Sequence, residues 1–283
     1  MQLRTAQRKQ SFMKLGIQAP SGCGKTYSAL LLAKGLIGDL SKVAVIDSEK
    51  SADLYAHFGE YKVLTLEPPL SPKKYIEAIE VCKNANMELI IIDSLSHAWM
   101  YIKDYHSRMS GNSFQNWAKL KPLHQELIDT IIQTPIHFIC SLRTKHDYVM
   151  TEKNGKIVPE KKGLKAITTD DTEYEFSVMF ELDITHQATV SKDRTGLFAP
   201  LKVPFQITEG TGKQIKDWCE TGTSIEDVQE LILQAIDIEE LNNIYRNFTE
   251  FYPQLEEVFK RQKAKINQNS QTLKHSENGI ITN

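Results

Sequence analysis

The sequence predicts an α/β fold with a mainly parallel central sheet and a small helical appendage at its C-terminal end. Three observations lead there. Over the first two-thirds of the chain, short apolar runs alternate with helical stretches, the order expected of strands joined by crossing helices. A glycine-bearing segment, Ala19-Pro20-Ser21-Gly22-Cys23-Gly24-Lys25-Thr26, stands between an apolar run and an Ala- and Leu-rich stretch. From Ser224 onward, strand-like runs cease and helix starts take over.

Taken in order, Phe12–Gln18 reads as a first strand and Thr26–Leu36 as a first helix. Val43–Ile46 is a second strand running into Asp47-Ser48-Glu49, and Lys62–Leu64 a short third. Ser71–Asn84 is predicted helical. Leu89–Ile92 is apolar at every position, as a central strand covered on both faces requires. A helix over Phe114–Ile132 leads into a strand at Ile136–Cys140. Tyr148–Thr151 and Lys156–Val158 flank Asn154-Gly155, a dipeptide suited to a two-residue hairpin turn. Glu173–Ile184 and Thr189–Ser191 read as strands, and Thr208–Gly212 as a polar break. Ser224-x-x-Asp227 and Asp237-x-x-Glu240 have the spacing of helix starts. The expected organisation is a core over 1–222, a helical appendage over 223–266, and an Asn/Gln/Ser/Thr-rich tail over 267–283 without fixed structure.

Composition narrows the classes. The 283 residues include 34 Lys and Arg against 36 Asp and Glu, a net charge of −2, with 41% apolar and 25% charged residues. That excludes a wholly disordered or collagen-like chain. Cys23, Cys82, Cys140 and Cys219 are far apart, which provides neither a disulfide framework nor a zinc knuckle. Residues 1–9 carry charge with no apolar run behind it, and no apolar run nears the ~20 residues of a membrane span. The expectation is a cytoplasmic protein with no membrane partner.

Near-neutrality hides strong local charge. Between Lys145 and Lys165 six lysines face three acids, an excess of 6 − 3 = +3. Between Thr221 and Phe259 nine acids face Arg246 alone, 1 − 9 = −8. A polyanion site, if there is one, must be a local stripe, and the acidic segment must lie elsewhere.

The segment Ala19–Thr26 matches the phosphate-loop pattern with Ala in place of the first Gly. Gly22 and Gly24 let backbone N–H groups curl round a phosphate, and the following helix offers its positive end to the same anion. Lys25 would reach the β- and γ-phosphates of ATP, and the Thr26 hydroxyl would ligate Mg²⁺, with Tyr27 next to it. Asp93, closing Leu89–Ile92, is placed to hold Mg²⁺ through water; a helix N-cap is the competing reading. Glu49, just past the second strand, could orient or deprotonate a water at the γ-phosphate, or it could be a solvated loop carboxylate.

With these residues in place the chain resembles the RecA-type ATPases. Ile46–Ala56 is similar to the segment carrying their catalytic glutamate, and Ile91-Ile92-Asp93-Ser94-Leu95 to their Walker B strand. To about Gly222 it resembles, more specifically, the phage-encoded AAA-type nucleotide-binding proteins, some of them Sak-class recombination and single-strand annealing factors. Ser113–Trp117, His137–Lys145, Glu173–Phe176 and Ser191–Gly196 carry that likeness. The resemblance implies a RecA-like fold, Glu49 as the water-activating base, and Ser141 and Arg143 at the nucleotide-sensing positions. Ser141 departs from the family's sensor Gln. It also implies that Lys192 and Arg194 project across a subunit interface onto a neighbour's nucleotide, in a ring or filament; surface basics at a strand end are the plainer reading. Single-stranded DNA would bind loops matching Ser96–Asn112 and Thr144–Thr169. Candidates there are Lys145, Tyr148, Lys153, Lys156, Lys161 and Lys162, against the plainer reading of a solvated hairpin face. A phage-encoded ATPase of this kind would act in the host cytoplasm. The rival readings are a nucleotide-gated loader for a recombination partner protein, and a phosphate-loop kinase of a small molecule.

Overall fold

The computed structural model describes residues 10–153, 156–169, 171–198 and 203–277, leaving aside the side chains of 146–164, 250 and 269–277. The chain divides into two compact units, one spanning Phe12–Trp218 and the other made of Cys219 onward with the segment that ends at Ser11. Backbone hydrogen bonds from Gln10 to Thr223 and from Ser11 to Cys219 tie that segment to the second unit.

In the first unit, β1 (Lys14–Ala19) leads into α1 (Lys25–Ile37). β2 (Val43–Asp47), β3 (Lys62–Thr65), α2 (Pro72–Asn84) and β4 (Leu89–Asp93) follow. Every residue of β1, β2 and β4 is buried, the state in which alternation gives way to continuous apolar runs. α3 (Ser96–Arg108) and α4 (Ser113–Gln133) then lead to β5 (His137–Lys153) and β6 (Lys156–Ala166). After the short α5 (Thr172–Glu175) come β7 (Val178–Leu182), β8 (Gln187–Asp193), β9 (Phe205–Gln206) and α6 (Glu209–Glu220).

Among the described residues nine strands form one sheet in the order β3-β2-β4-β5-β1-β7-β8-β9, with β6 pairing β5. β3 through β7 are parallel neighbours, whereas β7–β8, β8–β9 and β5–β6 are antiparallel. β5 lies between β1 and β4, so its residues beyond Cys140 flank both the phosphate loop and Asp93. In open sheets of this kind ligands sit at the carboxyl ends of the strands.

Four sequence expectations change. The strand at Ile136–Cys140 and the first hairpin arm are one strand, β5, which leaves the core and continues into the hairpin. Lys153 pairs with Lys156 across the turn, while Asn154 and Gly155 themselves lie outside the described residues. Glu173–Ile184 is not one strand: Thr172–Glu175 is helical and β7 begins at Val178. Ser96–Asn112 is not a loop but largely α3. Thr208–Gly212 opens α6 instead of breaking the chain. Its glycines serve packing, since a Cβ on Gly212 would stand 2.3 Å from the Leu32 carbonyl and one on Gly35 would stand 2.0 Å from that of Glu209. α1 and α6 cross through bare backbone.

The second unit holds α7 (Ile225–Gln234), α8 (Ile238–Asn247) and α9 (Tyr252–Glu277). Ser224 and Asp227 form a reciprocal capping box, and Asp237 caps α8 through Glu240 N–H at 2.8 Å. Val228, Ile232, Leu241, Ile244, Leu255 and Phe259 make its core. The buried Gln262 amide donates to Leu233 and Ala235 carbonyls at 3.1 and 2.7 Å, fastening α9 to the end of α7. α9 runs past residue 267, where the sequence suggested that structure ends; after Pro253 in its first turn, no Gly or Pro occurs through Glu277 to stop a helix.

Candidate active site

The carboxyl edge of the sheet gathers the polar residues. Ala19 ends β1, and Pro20–Gly24 turn the chain into α1 with Gly22 and Gly24 both at φ 84°, a backbone that disfavours any side chain. A Cβ on Gly22 would meet nothing within 4 Å, so the loop's concave backbone is open to an anion. Gly24 is closed on one side by the His186 ring, whose Nδ1 lies 3.1 Å from where a Cβ would be. Ser21 is exposed and Cys23 buried. Lys25 is buried, its Nζ donating to the Ala19 and Pro20 carbonyls at 3.2 and 2.9 Å. Burial lowers its pKa, while the charges of Asp93 and Glu49 pull it back up. Tyr27 packs edge-on against Phe58, with ring centroids 4.9 Å apart.

Thr26 Oγ1 donates to Asp93 Oδ2 at 2.5 Å, and Ser141 Oγ donates to Asp93 Oδ1. Asp93 is therefore held from both sides at the end of β4. Burial raises its pKa against the pull of those two hydrogen bonds. Ser141 is fully buried and is a hydrogen-bond partner of Asp93.

Glu49 is brought in by a device the sequence reading overlooked. The buried Asp47 carboxylate accepts N–H bonds from Glu49 and Lys50 on one oxygen, both at 2.8 Å, and from Ser51 and Ala52 on the other, both at 2.9 Å. Lys50 takes a positive φ of 56° to close this turn. Glu49 then meets Arg143 of β5, with β4 between the two strands. Arg143 Nε donates to Glu49 Oε1 at 2.6 Å and Nη2 donates to Oε2, a bidentate pair. Burial pushes the Glu49 pKa up, but the Arg143 bond and the charges of Arg143, His97 and Lys25 outweigh it and hold the carboxyl below its usual value. The same bond raises Arg143. His97 stands beside the pair, with Nε2 4.0 Å from Glu49 Oε1. His97 and His186 are the residues the sequence reading missed; a His four residues past Asp93 was the available signal for the first, and His186 had none.

Other candidates lie apart. Lys192 is level with Met179 of β7, which is level with Gly16, and Arg194 N–H bonds Ser177, next to Lys14. Both cations are toward the start of β1, and both donate to the Tyr174 carbonyl. They do not join this chain's own site. Lys145 is exposed on β5, but the side chains of Tyr148, Lys153, Lys156, Lys161 and Lys162 lie outside the described residues. Trp99, half-buried, stacks on Trp117 with centroids 5.6 Å apart. A cavity of about 1030 Å³ lined by Trp99, Lys121, His124 and Asp171 shares no residue with the phosphate-loop site.

The model of the AAA domain family matches residues 11–209, more than half of the chain. The chain belongs to the AAA domain family. It has no match among curated proteins. An AAA domain is a phosphate-loop NTPase, so the protein is a nucleotide-binding ATPase, and Ala19–Thr26 carries the phosphate-loop pattern within the matched residues. Among the described residues of this AAA protein no helix is long and apolar enough to cross a membrane.

Proposed function

We propose that the protein hydrolyses ATP with Mg²⁺ and acts in phage or mobile-element DNA recombination, binding or annealing single strands as a homo-oligomer. The observation that carries the ATPase half is the convergence of Lys25, Thr26, Asp93 and Glu49 at one strand edge. The donor set fits the metal: a hydroxyl and a carboxylate, both oxygen ligands, already share a proton bond where Mg²⁺ would take their place. Mg²⁺ would supply charge neutralisation at the transferred phosphoryl group. The open loop backbone and Lys25 bind the phosphates. Glu49 takes a proton from the attacking water as its oxygen bonds to the γ-phosphorus, and the bond to the bridging oxygen breaks with its electron pair leaving on ADP.

Lys192 and Arg194 support the oligomer. They cannot serve the nucleotide of their own chain from the start of β1, and their carbonyl partner is neutral, so a neighbour's phosphates would draw them away. Single-stranded DNA is supported by the hairpin, where Lys145 and Lys165 sit directly opposite. The segment from Lys145 to Lys165 carries an excess of three positive charges, which would favour a polyanion.

Two experiments test the proposal. Mixing Lys25→Ala protein, which lacks a nucleotide site, with Lys192→Ala/Arg194→Ala protein should restore turnover at mixed interfaces; no restoration refutes shared sites. ATP turnover with and without single-stranded DNA, at two salt concentrations, should show a stimulation that weakens with salt. Turnover indifferent to DNA, with no salt-sensitive binding, refutes the recombination role.

A further inference from the structure

Glu49 cannot act as a base in the arrangement just described, because both its oxygens are engaged by Arg143. A carboxylate needs one free oxygen to accept the water proton and a second contact to keep it aimed. The second contact is at hand. His97, in the first turn of α3, is half-buried, and its Nδ1 lies 2.9 Å from Ser48 Oγ. Ser48 itself is pinned between strands: its hydroxyl oxygen accepts the Ser94 N–H at 3.0 Å and its backbone N–H donates to the Asp93 carbonyl at 2.7 Å. The hydroxyl proton has three acceptors within reach, the Asp93 carbonyl at 3.2 Å, the Ser94 carbonyl at 3.3 Å and His97 Nδ1 at 2.9 Å. The imidazole is the nearest. A proton given to Nδ1 places the ring's own N–H on Nε2, the nitrogen that faces Glu49 Oε1 at 4.0 Å.

We infer that His97 is the positioning residue for Glu49: when a phosphate draws Arg143 away, the Nε2–H takes Oε1 and leaves Oε2 free for the water. A neutral N–H holds the carboxylate's direction while stripping less of its basicity than a guanidinium does. Arg143 is the cation around this ring, Glu49 and Asp93 the acids, and burial, with the Arg143 charge, lowers the imidazole pKa against the two carboxylates. The inference rests on Glu49 being the base.

The test compares three variants. Gln places its amide nitrogen where Nε2 stands, and Asn places its own where Nδ1 stands. His97→Ala and His97→Asn should lose ten- to a hundredfold in kcat with KM for ATP within twofold, and His97→Gln should recover at least tenfold over His97→Ala. A purely structural contact with Ser48 gives the opposite order, with Asn recovering and Gln not, and overturns the inference. Side-chain ¹⁵N spectra give a readout independent of turnover: His97 should be the Nε2–H tautomer, and an Nδ1–H tautomer overturns the inference. Glu49→Gln runs in parallel. If it keeps turnover, the base reading fails and this inference with it; if it is inactive while His97→Asn turns over normally, this inference alone fails.

Discussion

The two ends of the central sheet treat charge differently. At the carboxyl end, beside the phosphate loop, Glu49 is partnered by Arg143, and Asp93 by Thr26 and Ser141. At the other end, Lys14 donates to the Thr134 and Ile136 carbonyls, both at 2.6 Å, and His137 Nδ1 accepts the Met13 N–H at 3.0 Å. A pair of ions can exchange partners when a phosphate arrives, because each keeps a charge to pair with. Lys14 and His137 lie away from the loop, where there is no anion to exchange for, and moving either breaks the fold. The first end is therefore built to change state and the second to hold the sheet together.

The largest expected effect breaks function at the first end. Glu49→Gln keeps the shape and should lower turnover by about 10² to 10⁴-fold. Nucleotide affinity should stay near that of the parent protein, while the urea unfolding midpoint should fall because Arg143 loses its charged partner. Unchanged turnover would show that another group activates the water.

Asp47→Asn sharpens the comparison by joining both properties in one residue. The amide offers one acceptor where the carboxylate offers two, so two of the four N–H groups bound by Asp47 lose their partner. At about 1.5 kcal/mol or more for each bond to a charge, the loss is about 3 kcal/mol of stability, read from denaturant midpoints. Turnover should fall with it, because Glu49 is aimed by this turn, while Lys25 and nucleotide affinity are unaffected.

These two acids show what a sequence can and cannot reveal. The loop Ala19–Thr26 was legible because it is local: its glycines, lysine and threonine act within one turn of chain. Glu49 was legible as a candidate because it follows a strand end. Its partner Arg143 lies 94 residues on, and only the insertion of β5 between β1 and β4 brings them together. Asp47 read as no more than the residue after a strand because its role is spent on backbone N–H groups that leave no pattern. α6 was missed because Gly210 and Gly212 look like a break, whereas Gly212 lets α1 approach. Ser141 was placed by resemblance, and its short side chain turned inward to Asp93.

At the second end the expected effect is on stability alone, and it depends on pH. Burial, then the nearby Lys14 charge, lowers the His137 pKa from 6.5 to about 4. Below 6.5 the unfolded chain takes up a proton that the folded chain refuses, so stability falls as pH drops from 6.5 toward 4 and levels off below it. Between pH 7 and 5 the fall is about 2 kcal/mol from this residue. His137→Asn keeps an acceptor for the Met13 N–H but cannot titrate, and should remove that part of the slope in urea titrations. An unchanged slope would place the pH sensitivity elsewhere, with His124, also lowered to about 4 by burial, the next group to replace.

The smallest effect separates nearness from function at the first end. Glu49 and Lys50 are consecutive, and each makes an ion pair. The Glu49–Arg143 side chains are 19% and 33% exposed, whereas those of Lys50–Glu67, 2.8 Å apart, are 57% and 63% exposed. Water and salt screen the second pair, and ordering two long side chains offsets most of its attraction. Glu67→Gln should therefore change stability by no more than about 0.5 kcal/mol and leave turnover as it was. A loss of turnover would mean that the Lys50 side chain, as well as its backbone, helps to set the turn that aims Glu49.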